Sequence, residues 1–376
     1  MKIGLVFDAS LDKADGVAQY VLTVGNWLER QGHEVHYLVG ETVRTDLPNL
    51  HSLSRNVTVR FNQNRISTPL PAKLEPIKKI LSDVPFDILH VQMPYSPLLA
   101  ARVVKAASPK TAIVGTFHIA PASKMVNVGT RVLGWWLRRN LTRFSSFISV
   151  SEVAQEFAHS FFGIDSEVIP NTAPLEHFFD AKPLSKYKKN RIVMFLGRLV
   201  ERKGCHHLLA AVDKLQRDGA WPSNTKVVVC GAGPMHLALS EQVHRAGLTD
   251  IVDFEGFVTE ADKPRYLASA DIVTFPSTGG ESFGIVLLEA MAASPGVVLA
   301  GDNPGYTSVM HHHPESLFNP RDTDKFAELL LSWLSNKTAR SKAHAWQEEY
   351  AHQFEPDVVG QKIMAVYQQA LRKKRK

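Results

Sequence analysis

Short apolar runs alternate with amphipathic stretches along almost all of the 376 residues, and halfway through the alternation starts again. Lys2–Phe7 reads as a buried strand; a loop follows, then a helix carrying Val17, Val21, Val24, Trp27 and Leu28 on one side and stopped by Gly32. Glu34–Val39, Asp87–Val91, Ala112–Phe117, Phe147–Val150 and Glu167–Ile169 are further short strands of this first set. Arg191–Leu196 opens the second set, continued by a helix over Cys205–Arg217, the strand Lys226–Cys230 and a helix over Pro234–Ala246. Ile251–Glu255, Asp271–Phe275 and Val297–Ala300 complete it. Strands alternating with helices imply parallel sheets covered on both faces. Two such sets, joined across the polar stretch Asn171–Asn190, predict two Rossmann-like α/β domains facing each other across a cleft.

Two cysteines, Cys205 and Cys230, exclude a disulfide framework and a Cys-built zinc site. The opening MKIGLVFD lacks a signal-peptide cleavage pattern, and no run of eighteen or so apolar residues is free of charge, so a cytoplasmic protein is expected. The formal charge of +6 is unevenly spread. Between Leu50 and Val150 stand fourteen Lys and Arg, among them Arg65, Lys124, Arg131, Arg138, Arg139 and Arg143, against three acids, Glu75, Asp83 and Asp87. A field of one sign confined to one part of a chain implies an anionic partner there. The stretch Thr130–Arg143 sets four arginines beside Trp135 and Trp136, a composition that suits a lipid headgroup interface and equally a half-buried helix with its arginines in water. The two tryptophans are adjacent rather than spread along a stacking surface, which argues against nucleic acid.

In open α/β sheets ligands sit at the carboxyl ends of the strands. Four strand-end loops therefore hold the candidate site. In Gly279-Gly280-Glu281-Ser282-Phe283-Gly284-Ile285, leading to Glu289, a strand ends, a Gly-Gly turn follows and a helix is expected near Phe283. The amides of Phe283, Gly284 and Ile285 would meet an anion there, with Gly284 letting a phosphate approach the backbone. A carboxylate at Glu281 would repel that phosphate, so it should face something neutral, such as sugar hydroxyls. In Gly197–Gly204, Arg198 and Lys203 suit a diphosphate clamp. In Gly115-Thr116-Phe117-His118, a neutral imidazole at His118 could bind a substrate hydroxyl or move a proton, although a lone histidine can also be purely structural. Asp15-Gly16-Val17 opens the first helix, whose amides could reach the same ligand.

Other motifs are discounted. Gly231-Ala232-Gly233-Pro234 lacks the third glycine of a dinucleotide fingerprint, and Asp322-Thr323-Asp324 reads as a helix cap rather than a metal site. His206-His207 and His311-His312-His313 read as surface residues.

At these residues the chain resembles the retaining GT-B glycosyltransferases, with Glu281 and Glu289 as their paired glutamates. Within that class it is most similar to the bacterial phosphatidylinositol alpha-mannosyltransferases, over Gly115–His118, Ile169-Pro170-Asn171, Gly197–Gly204, Gly256-Phe257-Val258 and Gly279–Ala293. The resemblance implies a GT-B fold with an acceptor and membrane domain over 1–170, a donor domain over 171–354, and a last helix, Glu355–Lys376, crossing back to the first domain. It implies GDP-mannose as donor, no cofactor and no metal, and a membrane lipid as acceptor at the inner face of the cell membrane. Arg198, Arg202 and Lys203 would hold the donor diphosphate with Gly16, Ser282 and the amides of Phe283, Gly284 and Ile285. Glu289 would take the ribose hydroxyls, Val258 and Lys263 the nucleobase, and Glu281 and His118 the transferred sugar. Gln19, Arg65, Lys124, Arg131, Trp135, Arg138 and Arg139 would serve the acceptor and the membrane. Three other readings compete: a UDP-sugar donor with diacylglycerol, the same donor with a soluble sugar, and a non-catalytic protein that only holds a nucleotide or polyanion.

Overall fold

The computed structural model describes residues 1–12, 16–61, 64–69, 72–118, 140–281 and 283–375. They form two compact units, Met1–Ala173 with Phe354–Lys376, and Pro174–Gln353.

The first unit runs β1 (Lys2–Phe7), α1 (Gly16–Arg30), β2 (Glu34–Val39), β3 (Leu50–Ser52), the hairpin β4 (Asn56–Phe61) and β5 (Asn64–Pro69), and α2 (Leu74–Asp83). It continues through β6 (Ile88–Gln92), α3 (Leu99–Ala106), β7 (Ala112–Phe117), β8 (Ser146–Ser149), α4 (Glu152–Phe162) and β9 (Glu167–Val168). Seven strands form one sheet in the order β3-β2-β1-β6-β7-β8-β9, every pairing parallel. Alternation along β1 divides the core. Ile3, Leu5 and Phe7 pack with α1 on one face, while Val6 packs with Ile77 of α2 and Leu99 and Val103 of α3 on the other. Strands β3 to β5 were not expected. β3 is three residues long, and among the described residues the antiparallel hairpin stands as a two-stranded sheet of its own.

The second unit carries α5 (Glu176–Phe179), β10 (Arg191–Leu196), α6 (Cys205–Arg217), β11 (Thr225–Cys230), α7 (His236–Arg245), β12 (Val252–Gly256) and α8 (Lys263–Leu267). There follow β13 (Ile272–Phe275), α9 (Ile285–Ala293), β14 (Val297–Gly301), α10 (Pro304–Met310), β15 (Leu317–Phe318), α11 (Thr323–Ser335) and α12 (Lys337–Ala351). Its sheet is β12-β11-β10-β13-β14-β15, again parallel throughout. Val193, Phe195, Val227, Val229, Ile272, Val297 and Leu299 pack on one side against Leu208 and Val212 of α6 and Phe326 and Leu330 of α11. Asp322 caps α11 by accepting from the Lys325 amide at 3.1 Å, as expected of that acidic stretch. His313 departs from the surface reading. It is buried, stacked 4.8 Å from Trp346, with Nδ1 2.7 Å from Ser316 Oγ.

The last helix, α13 (Pro356–Arg375), belongs to the first unit. Val359, Ile363, Val366, Tyr367 and Ala370 recur at helical spacing and enter the core formed by β1 and α1. Trp27 of α1 donates Nε1–H to Asp357 at 2.7 Å, and its indole lies flat on the helix at Gly360. A Cβ at Gly360 would fall 2.4 Å from Trp27 Cδ2. Gly360→Ala should therefore lower stability by about 1–3 kcal/mol in urea unfolding despite alanine's better helix propensity, and an unchanged midpoint would contradict this packing.

Candidate functional site

Strands β10 and β13 lie side by side. After β10 the chain builds outward through β11 and β12, and after β13 it builds the other way through β14 and β15. That switch leaves a crevice at the carboxyl ends of the two strands, and the loops 197–204 and 276–284 both start there. They are tied together: the Thr278 amide donates to the Arg202 carbonyl at 2.9 Å. Gly204 stands at φ +74°, and a Cβ on it would meet the Pro276 carbonyl oxygen at 2.0 Å. Backbone conformation and close approach both require glycine at that point.

Glu281 is the centre of this loop pair. Its Oε1 accepts from Arg202 Nη1 at 2.6 Å, from Lys203 Nζ at 2.9 Å and from the Ser277 hydroxyl at 2.9 Å. Burial pushes the Glu281 carboxyl up, but the charges of Lys203 and Arg202 and the hydrogen bonds from Lys203 and Ser277 outweigh it, and the pKa is held below the usual glutamate value. The group is anionic at neutral pH. With Arg198 and Glu201 exposed in the same loop, three cations stand against two carboxylates, and the net positive balance suits a diphosphate.

Helix α9 starts at Ile285, two residues later than expected, with Gly284 as its N-cap at φ +104°. Glycine at 284 also has reasons inside the fold. A Cβ there would press into the Tyr306 ring at 2.7 Å, so the residue is required by its backbone conformation and by packing inside the protein. Phe283 is buried, and Ser282 lies outside the described residues.

Lys263 and Glu289, assigned to different parts of a nucleotide, are paired with each other. Lys263 Nζ, at the start of α8, lies 2.8 Å from Glu289 Oε1 on α9 and 2.5 Å from Glu260 Oε2. Burial works against the Lys263 ammonium, but Glu289 and Glu260 hold its pKa above the ordinary lysine value. For the fully enclosed Glu289 carboxyl, burial outweighs Lys263 and raises the pKa. Val258, half-buried, follows the carboxyl end of β12. Beside it Phe257 is 76% exposed, an aromatic at a strand end whose use apolar patterning could not show.

The first unit has its own switch point between β1 and β6. Gly16 is exposed at the start of α1, Gln19 is half-buried, and Tyr20 is buried. His118 follows β7 with Nε2 2.7 Å from Gln92 Oε1, and the Tyr20 ring stands edge-on at 4.9 Å. Burial, aided by neighbouring His90, pushes the His118 pKa down to about 3, so the ring is neutral. His90 lies between Tyr367 OH at 2.7 Å and Thr116 Oγ1 at 2.6 Å. Asp8, at the end of β1, accepts from Ser96 and, at 2.7 Å, from the Ala100 amide of α3; burial pushes its carboxyl up to about 6. Sequence reading missed Gln92, Tyr20 and Asp8. Each is a polar group beside an apolar strand or on an apolar helix face, which is the signal that could have marked them.

Lys124, Arg131, Trp135, Arg138 and Arg139 lie outside the described residues. Arg65 stands opposite Arg60 in the hairpin register. Two other cations of the basic stretch serve the fold. Arg143 donates to the carbonyls of Lys105 at 2.8 Å and Ala107 at 2.7 Å, closing the end of α3, and Arg102 donates to the Ala72 carbonyl. Among the described residues there is no cluster of His, Cys, Asp and Glu able to hold a metal, and no helix long and apolar enough to cross a membrane.

Comparison with known proteins places this geometry. Residues 177–353 match the model described as glycosyl transferases group 1, and residues 14–177 match glycosyltransferase family 4. The fold is shared with Anabaena HepE, solved in complex with UDP, at a TM-score of 0.72 and 20% identity over 97% of this chain and 99% of that one. A glycosyltransferase from Rickettsia africae superposes at 0.75 with 16% identity, over 98% and 99% of the two chains. These define a glycosyltransferase of GT-B architecture. The chain is 33% identical over 373 residues to the phosphatidyl-myo-inositol mannosyltransferase of Mycolicibacterium smegmatis, covering 98% of this chain and 94% of the relative. It is 30% identical to the enzyme of the same name from Mycobacterium leprae, over 98% and 96%. The chain belongs to the glycosyltransferase family that contains these enzymes.

The Lys263–Glu289 pair yields a test. Lys263→Met strands a buried carboxylate and should cost about 3–5 kcal/mol at neutral pH, and Lys263→Met with Glu289→Leu should recover most of it. Because burial raises the Glu289 pKa, the single variant should lose less at acid pH, where the carboxyl is protonated, and more as pH rises. Equal losses in single and double variants would contradict the pairing.

Proposed function

We propose that this enzyme transfers a mannosyl unit from GDP-mannose to a phosphatidylinositol-type membrane lipid with retention of anomeric configuration. The observation that carries the reading is the Glu281 carboxylate held by Arg202 and Lys203 where the two strand-end loops of the second unit meet. The names of the relatives that run the length of the chain support the sugar and the lipid.

On this reading the second unit is the donor domain. Arg198, Arg202 and Lys203 hold the diphosphate with the amides at the start of α9, and they stabilise the charge that grows on the leaving phosphate. Glu281 takes hydroxyls of the transferred sugar; in the first unit, His118 is the residue kept for a sugar hydroxyl. Glu289 with Lys263 and Val258 receives the nucleoside. The bond from the anomeric carbon to the phosphate oxygen breaks while the acceptor oxygen bonds on the same face, and the leaving phosphate accepts the acceptor's proton. The protein supplies positioning and electrostatics rather than a nucleophile, and neither a cofactor nor a metal enters the scheme.

The first unit is the acceptor domain and docks peripherally on the inner, cytoplasmic face of the cell membrane. Cations of the 50–150 stretch other than Arg102 and Arg143 supply the attraction, at about 1 kcal/mol for each Lys or Arg near an anionic surface. Gln19 and Arg65 serve the acceptor side, with Lys124, Arg131, Trp135, Arg138 and Arg139.

The reading is tested by offering the purified enzyme GDP-mannose, UDP-glucose, UDP-galactose or UDP-GlcNAc, with phosphatidylinositol vesicles present or absent. Transfer is followed by mass and the product anomer by NMR. Lipid-dependent transfer of an α-mannosyl unit from GDP-mannose is expected. Preferred turnover of a UDP-sugar, or equal turnover without lipid, would overturn the substrate assignment.

A further inference from the structure

The carboxamide of Gln92 poses a question that packing does not answer. Gln92 ends β6 at the switch point of the first unit and is fully buried among apolar strand residues. Its Oε1 meets His118 Nε2 at 2.7 Å, while among the described residues its Nε2 has no hydrogen-bond partner. A buried amide left half-satisfied costs about 1–3 kcal/mol, which a methionine of similar volume would avoid. A side chain that carries such a cost at a ligand-binding strand end is there for what its other half does.

We propose that Gln92 is a positioning residue that fixes the tautomer of His118. A carboxamide oxygen only accepts, so His118 Nε2 carries the proton and Nδ1 keeps its lone pair. Tyr20, edge-on against the imidazole, holds the ring plane. His90, on the same strand as Gln92, is itself occupied by Tyr367 and Thr116, and so does not compete for the His118 ring. His118 therefore meets substrate as a hydrogen-bond acceptor and selects a hydroxyl that donates to it. Among the described residues, His90 and Tyr20 are the titratable groups packed against the ring. This inference rests on the proposed placement of His118 against the sugar, but the tautomer can be measured without it.

The experiment is long-range proton–nitrogen NMR of the full-length protein labelled at histidine, with His118 assigned from a His118→Asn variant. The wild type should show a protonated Nε2 and an unprotonated Nδ1 at neutral pH. Gln92→Met should still fold, lose that fixed pattern, and transfer sugar about tenfold more slowly with little change in KM for the donor. Gln92→Glu should keep the Nε2 proton and raise the His118 pKa, so that activity falls at acid pH as Nδ1 becomes protonated. A wild-type His118 protonated at Nδ1, or a Gln92→Met protein that keeps the protonated Nε2, would overturn the inference. A tautomer that responds as expected while transfer stays unchanged would support the positioning and instead overturn the placement of His118 at the sugar.

Discussion

One carboxylate oxygen, Glu281 Oε1, joins two loops that are far apart in sequence. Arg202 and Lys203 reach it from the loop after β10, and Ser277 reaches it from the loop that carries Glu281 itself. An anion enclosed to this degree is stable only because two cations and a hydroxyl replace its water. In turn it holds two long, mobile cationic side chains where the crevice opens. The Thr278–Arg202 backbone bond and the Gly204 approach to Pro276 make the same junction in the main chain. On the proposed reading, the donor diphosphate meets a clamp assembled before it arrives, so little ordering is left to do on binding.

The fold prepares these places because a doubly wound parallel sheet reverses its build at one pair of strands. In the second unit that pair is β10 and β13, and in the first it is β1 and β6. Each switch point gathers polar side chains that the strands would otherwise exclude: Glu281 with its cations in one unit, and His118, Gln92 and Asp8 in the other. The buried Lys263–Glu289 pair links α8 to α9, the helix that follows the Glu281 loop. Such pairs add little net stability, yet they punish any change that removes one partner.

Much of this was legible in the chain. The period of the apolar runs marked the strands of both sheets, and strand-end placement singled out the loops that hold Arg198, Lys203, Glu281 and His118. Three kinds of feature were not legible. The short strands β3 and β15 carry too few residues for a period to show. Partnerships across the fold, such as Lys263 with Glu289 or Gln92 with His118, depend on which strands become neighbours, and no local pattern records that. The roles of single glycines and arginines also turned on tertiary contacts. Gly284 packs against Tyr306, and Arg143 and Arg102 satisfy carbonyls at helix and loop ends, which a count of charge along the chain cannot show.

The central claim is that Glu281 acts on the sugar while the cations around it hold the diphosphate. It is tested most directly by measuring sugar transfer and nucleoside diphosphate affinity on the same preparation of Glu281→Ala. The account predicts transfer reduced by at least about 10²-fold, with affinity for GDP largely kept because the diphosphate is held by the cations themselves. Affinity lost together with folded stability would reduce Glu281 to a structural anchor, and transfer at the wild-type rate would contradict the account outright.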